Sequence, residues 1–154
     1  MKISNLFPFP EGAWLLAIAL FPAFSSFAAD SGPEFHHDFA EAAEAAKVAG
    51  KPLLVVFSAS WCPPCQQMKS KVYPSGPVQP YHDQFVWAYL DTDEEKNRPL
   101  ASKFGVSGIP HIAFLRQDAT MMGHFTGAIS PEKFTEVLDK VLVDSRKPKS
   151  PEGE

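Results

Sequence analysis

The feature that most restricts how this chain can fold is the run Ser60-Trp61-Cys62-Pro63-Pro64-Cys65, which holds the only two cysteines in 154 residues. Five apolar residues, Leu53 to Phe57, precede it, and a stretch compatible with a helix, Gln66 to Val72, follows. A short continuous apolar run suits a strand covered on both faces. A strand that delivers Cys-x-x-Cys into a helix start places the first sulfur at unpaired backbone N–H groups and the positive end of the helix dipole. A thiolate is stabilised there, so the thiol ionises closer to neutral pH. Two intervening residues let the second sulfur reach the first across one turn. Pro64, just inside the helix, gives up no intrahelical hydrogen bond. The layout points to a thiol–disulfide redox centre.

Two other uses of the pair stay open at this level. A purely structural disulfide is one, although so small a loop removes little entropy from the unfolded chain. A zinc site is the other, but it needs about four ligands. Histidines would have to supply the missing ones, and none of the five has zinc-finger spacing. No nucleotide-binding motif is present, and Gln66 rather than His follows Cys65, so haem attachment is not indicated. No cofactor is expected.

The length suits one domain with short tails. With 45% hydrophobic and 21% charged residues the chain can bury a core, and a net charge of −4 argues against nucleic acid as a partner. Residues 1–29 have the form of a signal peptide. Lys2 is followed by the apolar core Ala13 to Phe21, which is short for a bilayer span, then by Pro22 and small residues at Ser26, Ala28 and Ala29. An uncleaved membrane anchor is the rival, since Gly12 to Ala29 carries no charge. Cleavage is favoured because the core is short, and the expected compartment is the periplasm or the exterior, where oxidation of a cysteine pair is favoured. Contact with the membrane is expected only if the segment is retained.

Residues 30–143 are expected to form the folded domain. Asp38 is a fitting N-cap, Glu41 stands at the capping-box position, and Gly50 with Pro52 ends the helix between them. Phe35-His36-His37 is expected only to lead into that helix, with both histidines exposed. Strands are expected at 53–57, 85–90, 111–115 and 120–125, with Gly123 marking a bulge. A short helix lies before Gly105, and Tyr73 to Pro80 is expected to be an irregular loop. Ser130-Pro131 opens a last helix whose Phe134, Val137, Leu138, Val141 and Leu142 form an apolar stripe. Asp144 to Glu154 is expected to be a disordered tail.

This order, with Trp61-Cys62-Pro63-Pro64-Cys65, Gly108-Ile109-Pro110 and Gly127-Ala128, resembles the thioredoxin superfamily over roughly residues 35–143, most closely its exported bacterial members. The resemblance implies an α/β fold with a central mixed sheet of four or five strands flanked by helices. It implies a thiol–disulfide oxidoreductase, a reductase in the first instance, with an oxidant or isomerase as the alternative. Cys62, the exposed member, would attack a substrate disulfide, and Cys65 would resolve the mixed disulfide. Trp61, Pro63, Pro64, Ile109, Pro110 and Gly127 would form the substrate groove. Pro110 would be cis and would present the Ile109 backbone to an extended substrate. Partners would be protein disulfides and a membrane or soluble thiol electron donor.

Departures are visible too. Val56 stands where the family carries a buried acid, Tyr89 where it carries a lysine, and Ser58 where it carries a tryptophan, so no buried base for Cys65 is apparent. His111, directly after Pro110, reads as a strand residue at the groove edge. Its alternative roles are a charge partner for the Cys62 thiolate or, in a Cu(I)-binding chaperone, a third metal ligand.

Overall fold

The computed structural model describes residues 32–147. The strands are β1 (Phe35–His36), β2 (Leu53–Ser58), β3 (Val86–Asp91), β4 (His111–Leu115) and β5 (Met121–Thr126). The α-helices are α1 (Phe39–Ala49), α2 (Pro63–Gln67), α3 (Arg98–Lys103) and α4 (Pro131–Ser145). The strands form one sheet in the order β1-β3-β2-β4-β5. β1, β3 and β2 run parallel, while β4 is antiparallel to both β2 and β5. This is the mixed α/β sheet of the expected fold class.

β2 is central and buried throughout, which explains its unbroken apolar sequence. Its alternating residues feed two cores. Leu54 and Val56 face Met68, Val72, Phe134 and Leu138, whereas Leu53, Val55 and Phe57 face Ala42, Ala46 and Phe104. The alanines of α1 allow that helix close to the sheet. The Asp38 side chain accepts from the N–H groups of Ala40 (2.8 Å) and Glu41 (3.2 Å), and Gly50 closes the helix at φ 65°, a left-handed conformation that suits glycine.

Four expectations are corrected. Phe35–His36 is a strand, not a mere lead-in: Phe35 pairs with Trp87, and its ring packs on Tyr73, Trp87 and Tyr89. His36 is half-buried, whereas His37 is exposed as expected and bonds through Nδ1 to the Tyr89 carbonyl, 3.1 Å away. The helix through Val72 is α-helical only to Gln67 and continues as a π-helical turn, Met68–Val72, burying Met68 and Val72 as expected. Part of the irregular loop is regular: a 3₁₀ helix spans Gln79–Gln84. The last helix runs through Ser145, where Arg116 donates to the carbonyls of Ser145 (3.0 Å) and Lys147 (2.8 Å). The β4–β5 irregularity falls between Phe114 and Leu115, opposite Gly123 and Met121 respectively, so the extra residue is Met122 beside Gly123. Residues 1–31 and 148–154, including the expected signal peptide and most of the expected tail, lie outside the described residues.

Candidate active site

β2 and β3 are parallel neighbours with Ser58 opposite Asp91, so the segments leaving both strands emerge at one end of the sheet. Ala59 to Cys65 leaves β2 there, and Thr92 to Glu94 leaves β3. The Thr92 N–H donates to the Ser58 carbonyl at 2.9 Å and binds the two exits together.

Cys62 caps α2 and is joined to Cys65 by a disulfide. The Cys65 N–H donates to Cys62 Sγ at 3.3 Å. Cys62 thus sits at a helix start with a backbone donor aimed at its sulfur, an arrangement that favours a thiolate once the pair is reduced. Gln66 steadies the turn by donating through Nε2 to the carbonyls of Ala59 (3.4 Å) and Ser60 (3.2 Å). Cys62 is not the exposed member of the pair. It is 3% exposed and Cys65 1%, because both pack with Ala59 under Ile109. What is exposed is the rim: Trp61 (67%), Pro63 and Pro64.

The second wall is the loop into β4. The Ile109–Pro110 peptide bond is cis, and the Ile109 carbonyl oxygen lies 3.8 Å from Cys62 Sγ. Gly127 donates its N–H to the Pro110 carbonyl at 2.8 Å from a backbone at φ 101°, where a side chain would be strained. Trp61, Cys62, Cys65, Ile109 and Pro110 are thus gathered at one site, with Gly127 tied to its edge.

His111 makes its bond and ring contacts with Thr126, Phe57 and His124 rather than with the sulfurs. It is 1% exposed, its Nδ1 lies 2.9 Å from Thr126 Oγ1, and its ring lies against Phe57 and His124. Burial, and then the charge of His124, hold its imidazole below the usual range. Its side chain shares a sheet face with Phe57 and Ala113, opposite the face that packs on Met68 and Val72. The groove-edge reading is thus corrected to a core residue beside the site. Among the described residues, no group of three or more His, Cys, Asp or Glu is placed to hold a metal.

Two features escaped the sequence reading. Trp61 Nε1 donates to Asp93 Oδ2 at 2.8 Å, fixing the indole at the rim. The only signal for it was an acid shortly after the strand parallel to β2. The second is a hydroxyl pair. Val56 and Tyr89 are register partners, and the Tyr89 hydroxyl reaches past Val56 to bond the buried Ser58 hydroxyl. The family's acid and lysine positions thus hold Val56 and Tyr89, and the Tyr89 hydroxyl is taken up by Ser58, at the tryptophan position, with Lys69 Nζ 4.6 Å above the Tyr89 ring.

A family model described as a thioredoxin-like domain matches residues 39–142. The chain is 36% identical over 93 residues to the thioredoxin-like protein HCF164, chloroplastic, of Oryza sativa subsp. japonica, covering 60% of this chain and 34% of that one. It is 34% identical over 108 residues to a protein disulfide-isomerase of Zea mays, covering 68% of this chain and 21% of the isomerase. The chain thus spans about a third or less of these relatives. The solution structure of a thioredoxin from Thermus thermophilus is similar with a TM-score of 0.65 and 28% identity, over 71% of this chain and 88% of that one. The oxidised DsbD C-terminal domain of Neisseria meningitidis shares the fold at 21% identity and a TM-score of 0.58, over 70% of this chain and 98% of the domain. With the sheet order, the capped cysteine pair and the Ile109–Pro110 loop already in place, the match across both halves of the sheet identifies the chain as a member of the thioredoxin-like family.

Proposed function

We propose that the protein is an exported thiol–disulfide oxidoreductase that reduces protein disulfides by dithiol–disulfide exchange. The observation that carries this reading is the Cys62–Cys65 disulfide at a helix start, with a backbone donor on Cys62 Sγ and the Ile109 carbonyl beside it. In the reduced protein the Cys62 thiolate attacks one sulfur of a substrate disulfide. The substrate S–S bond breaks, its other sulfur leaves as a thiolate, and a mixed disulfide joins Cys62 to the substrate. Deprotonated Cys65 then attacks Cys62 Sγ, forms the Cys62–Cys65 bond and releases the second substrate sulfur as a thiol after proton uptake. Two electrons pass to the substrate, and a dithiol donor, membrane-bound or soluble, returns them.

The substrate approaches past Trp61, Pro63 and Pro64. The Ile109 backbone, half-buried beside the sulfur, is the edge an extended client segment would pair with. The Ser58 and Tyr89 hydroxyls bond each other, and water, a thiolate of the exchanging pair or a carboxylate from elsewhere takes the Cys65 proton. The oxidant or isomerase alternative draws support from the isomerase relative. The metal-chaperone alternative loses support because the buried His111 is not grouped with the two cysteines into a set of ligands among the described residues.

Replacing Cys62 by Ser is expected to abolish exchange with a model disulfide, and Cys65→Ser to accumulate a mixed disulfide on Cys62 detectable by mass spectrometry. A Cys62→Ser protein that still reduces the model disulfide at the wild-type rate contradicts the mechanism. Export is tested by the mass of the N-terminus of the protein recovered outside the cytoplasm, which is expected to begin near Ala29 or Asp30.

A further inference from the structure

His111 has no part in the exchange steps, yet its surroundings are unusual for a histidine. The ring is 1% exposed, stacks on His124 with centroids 4.9 Å apart and planes 23° apart, and meets the Phe57 ring edge-on. Nδ1 is engaged by Thr126 Oγ1 at 2.9 Å, whereas Nε2 is buried without a hydrogen-bond partner. Either neutral tautomer leaves only Nε2 unpaired. The imidazolium would bury a charged N–H with nothing to accept it, beside a second histidine, which is costly.

The position of this ring gives the cost a consequence. His111 follows Pro110 and Ile109, and the Ile109 carbonyl lies 3.8 Å from Cys62 Sγ. Thr126 precedes Gly127, whose N–H binds the Pro110 carbonyl at 2.8 Å. The side-chain bond and the backbone bond are therefore parallel ties between the same two segments. Of the elements packed against the ring, β2 presents Phe57 and no charge, while β5 presents Thr126 and the exposed His124.

We propose that His111 is a positioning residue for the disulfide-exchange site: the neutral imidazole, bonded to Thr126, holds the Ile109–Pro110 loop against β5, and protonation in acid releases that loop and slows exchange. The proposal rests on the exchange reading of Cys62 and Cys65. The downward shift of His111 agrees with it, since burial and then the charge of His124 favour the neutral, bonded ring.

The test uses the full chain, reduced beforehand, and a model disulfide in single-turnover reactions from about pH 5 to 8, the range in which histidines titrate. The wild type is compared with Thr126→Val and His124→Gln. Both positions are exposed, so both variants are expected to fold. Loss of one hydrogen bond corresponds to about a two- to tenfold change. Thr126→Val is expected to be slower than wild type by that factor at the alkaline end, with the gap closing in acid, where wild type has also lost the tie. His124→Gln is expected to move the acid loss of rate to higher pH, because removing the neighbouring charge lets His111 take up its proton more readily. An activity-independent arm follows the backbone amide signals of Ile109 and Cys62 by NMR. They are expected to shift with the titration of the His111 ring in wild type and not in Thr126→Val. Superimposable rate profiles for wild type and Thr126→Val, or amide signals that ignore the His111 titration, overturn the proposal. A wild type that exchanges at no pH overturns the oxidoreductase reading instead, and the amide arm then still decides the tie.

Discussion

Cys62 keeps 3% of its surface and Trp61 67%, so in the proposed exchange a client would reach the sulfur past an indole bonded to Asp93. The Trp61–Asp93 bond is solvent-exposed, which limits its worth to about 1 kcal/mol or less. Asp93→Ala is therefore expected to leave the unfolding midpoint nearly unchanged but to slow exchange about two- to fivefold, the factor that such an energy represents. Trp61 fluorescence anisotropy is expected to fall in the same variant, and an unchanged anisotropy contradicts the positioning role. His111 makes a second residue-scale contribution, to stability. Its folded-state range lies below the ordinary value of about 6.5 that the unfolded chain retains. As pH falls below about 6.5 the unfolded state takes up a proton the folded state resists, so stability drops. The loss is complete once pH passes below the folded-state value. Urea unfolding is expected to show a steeper decline from about pH 7 to 5 in wild type than in His111→Phe, which has no such proton to bind. Of these residues, Cys62, Cys65, Pro110 and Gly127 were legible because local motifs carry them. Asp93 and the Ser58–Tyr89 pair were not, because those bonds span 32 and 31 residues and exist only through the pairing of β2 with β3.

Helix ends were the most legible feature at the level of elements, since capping is local chemistry. Asp38 accepts from two N–H groups that the first turn of α1 leaves unpaired. Asp38→Ala is expected to cost about 1 kcal/mol, read from the denaturant midpoint. The apolar stripe of α4 was legible from its period, and the structure gives it a use: Phe134 fills the space between Tyr73, Trp87 and Phe125. Phe134→Ala is expected to cost about 3–5 kcal/mol through lost burial and the cavity left behind, whereas the exposed Val143 one turn beyond Asp139 should tolerate alanine with little change. The elements that escaped are those with the weakest local signal. β1 has two residues and is a strand only because β3 lies beside it. The 3₁₀ helix at Gln79–Gln84 sits among prolines that read as loop, yet Trp87 Nε1 donates to the His82 carbonyl at 3.2 Å and His82 bonds the Tyr73 carbonyl at 2.7 Å. The π-helical turn leaves no trace in a pattern of apolar spacing, because Met68 and Val72 are four residues apart in either geometry and both are buried.

Across the whole molecule, the sheet order does what no single motif can: it places two parallel strand exits, the antiparallel β4 and the Gly127 turn around one pair of sulfurs. The order of elements and the two short motifs were enough to anticipate that arrangement. The redox direction was not legible, because it depends on the relative stability of the dithiol and the disulfide in a site whose buried polar pair is Ser58–Tyr89 rather than charged. Among the described residues no helix is long and apolar enough to cross a membrane, and the segment proposed to direct export lies at residues 1–29. The measurement that tests the account most directly is the reduction potential of the Cys62–Cys65 pair, obtained by equilibrating the protein against glutathione redox buffers and counting free thiols. The reductase reading predicts a value near or below about −230 mV, among the reducing members of this chemistry. A value between about −120 and −180 mV contradicts it, and the client would then be a protein that acquires disulfides rather than one that loses them.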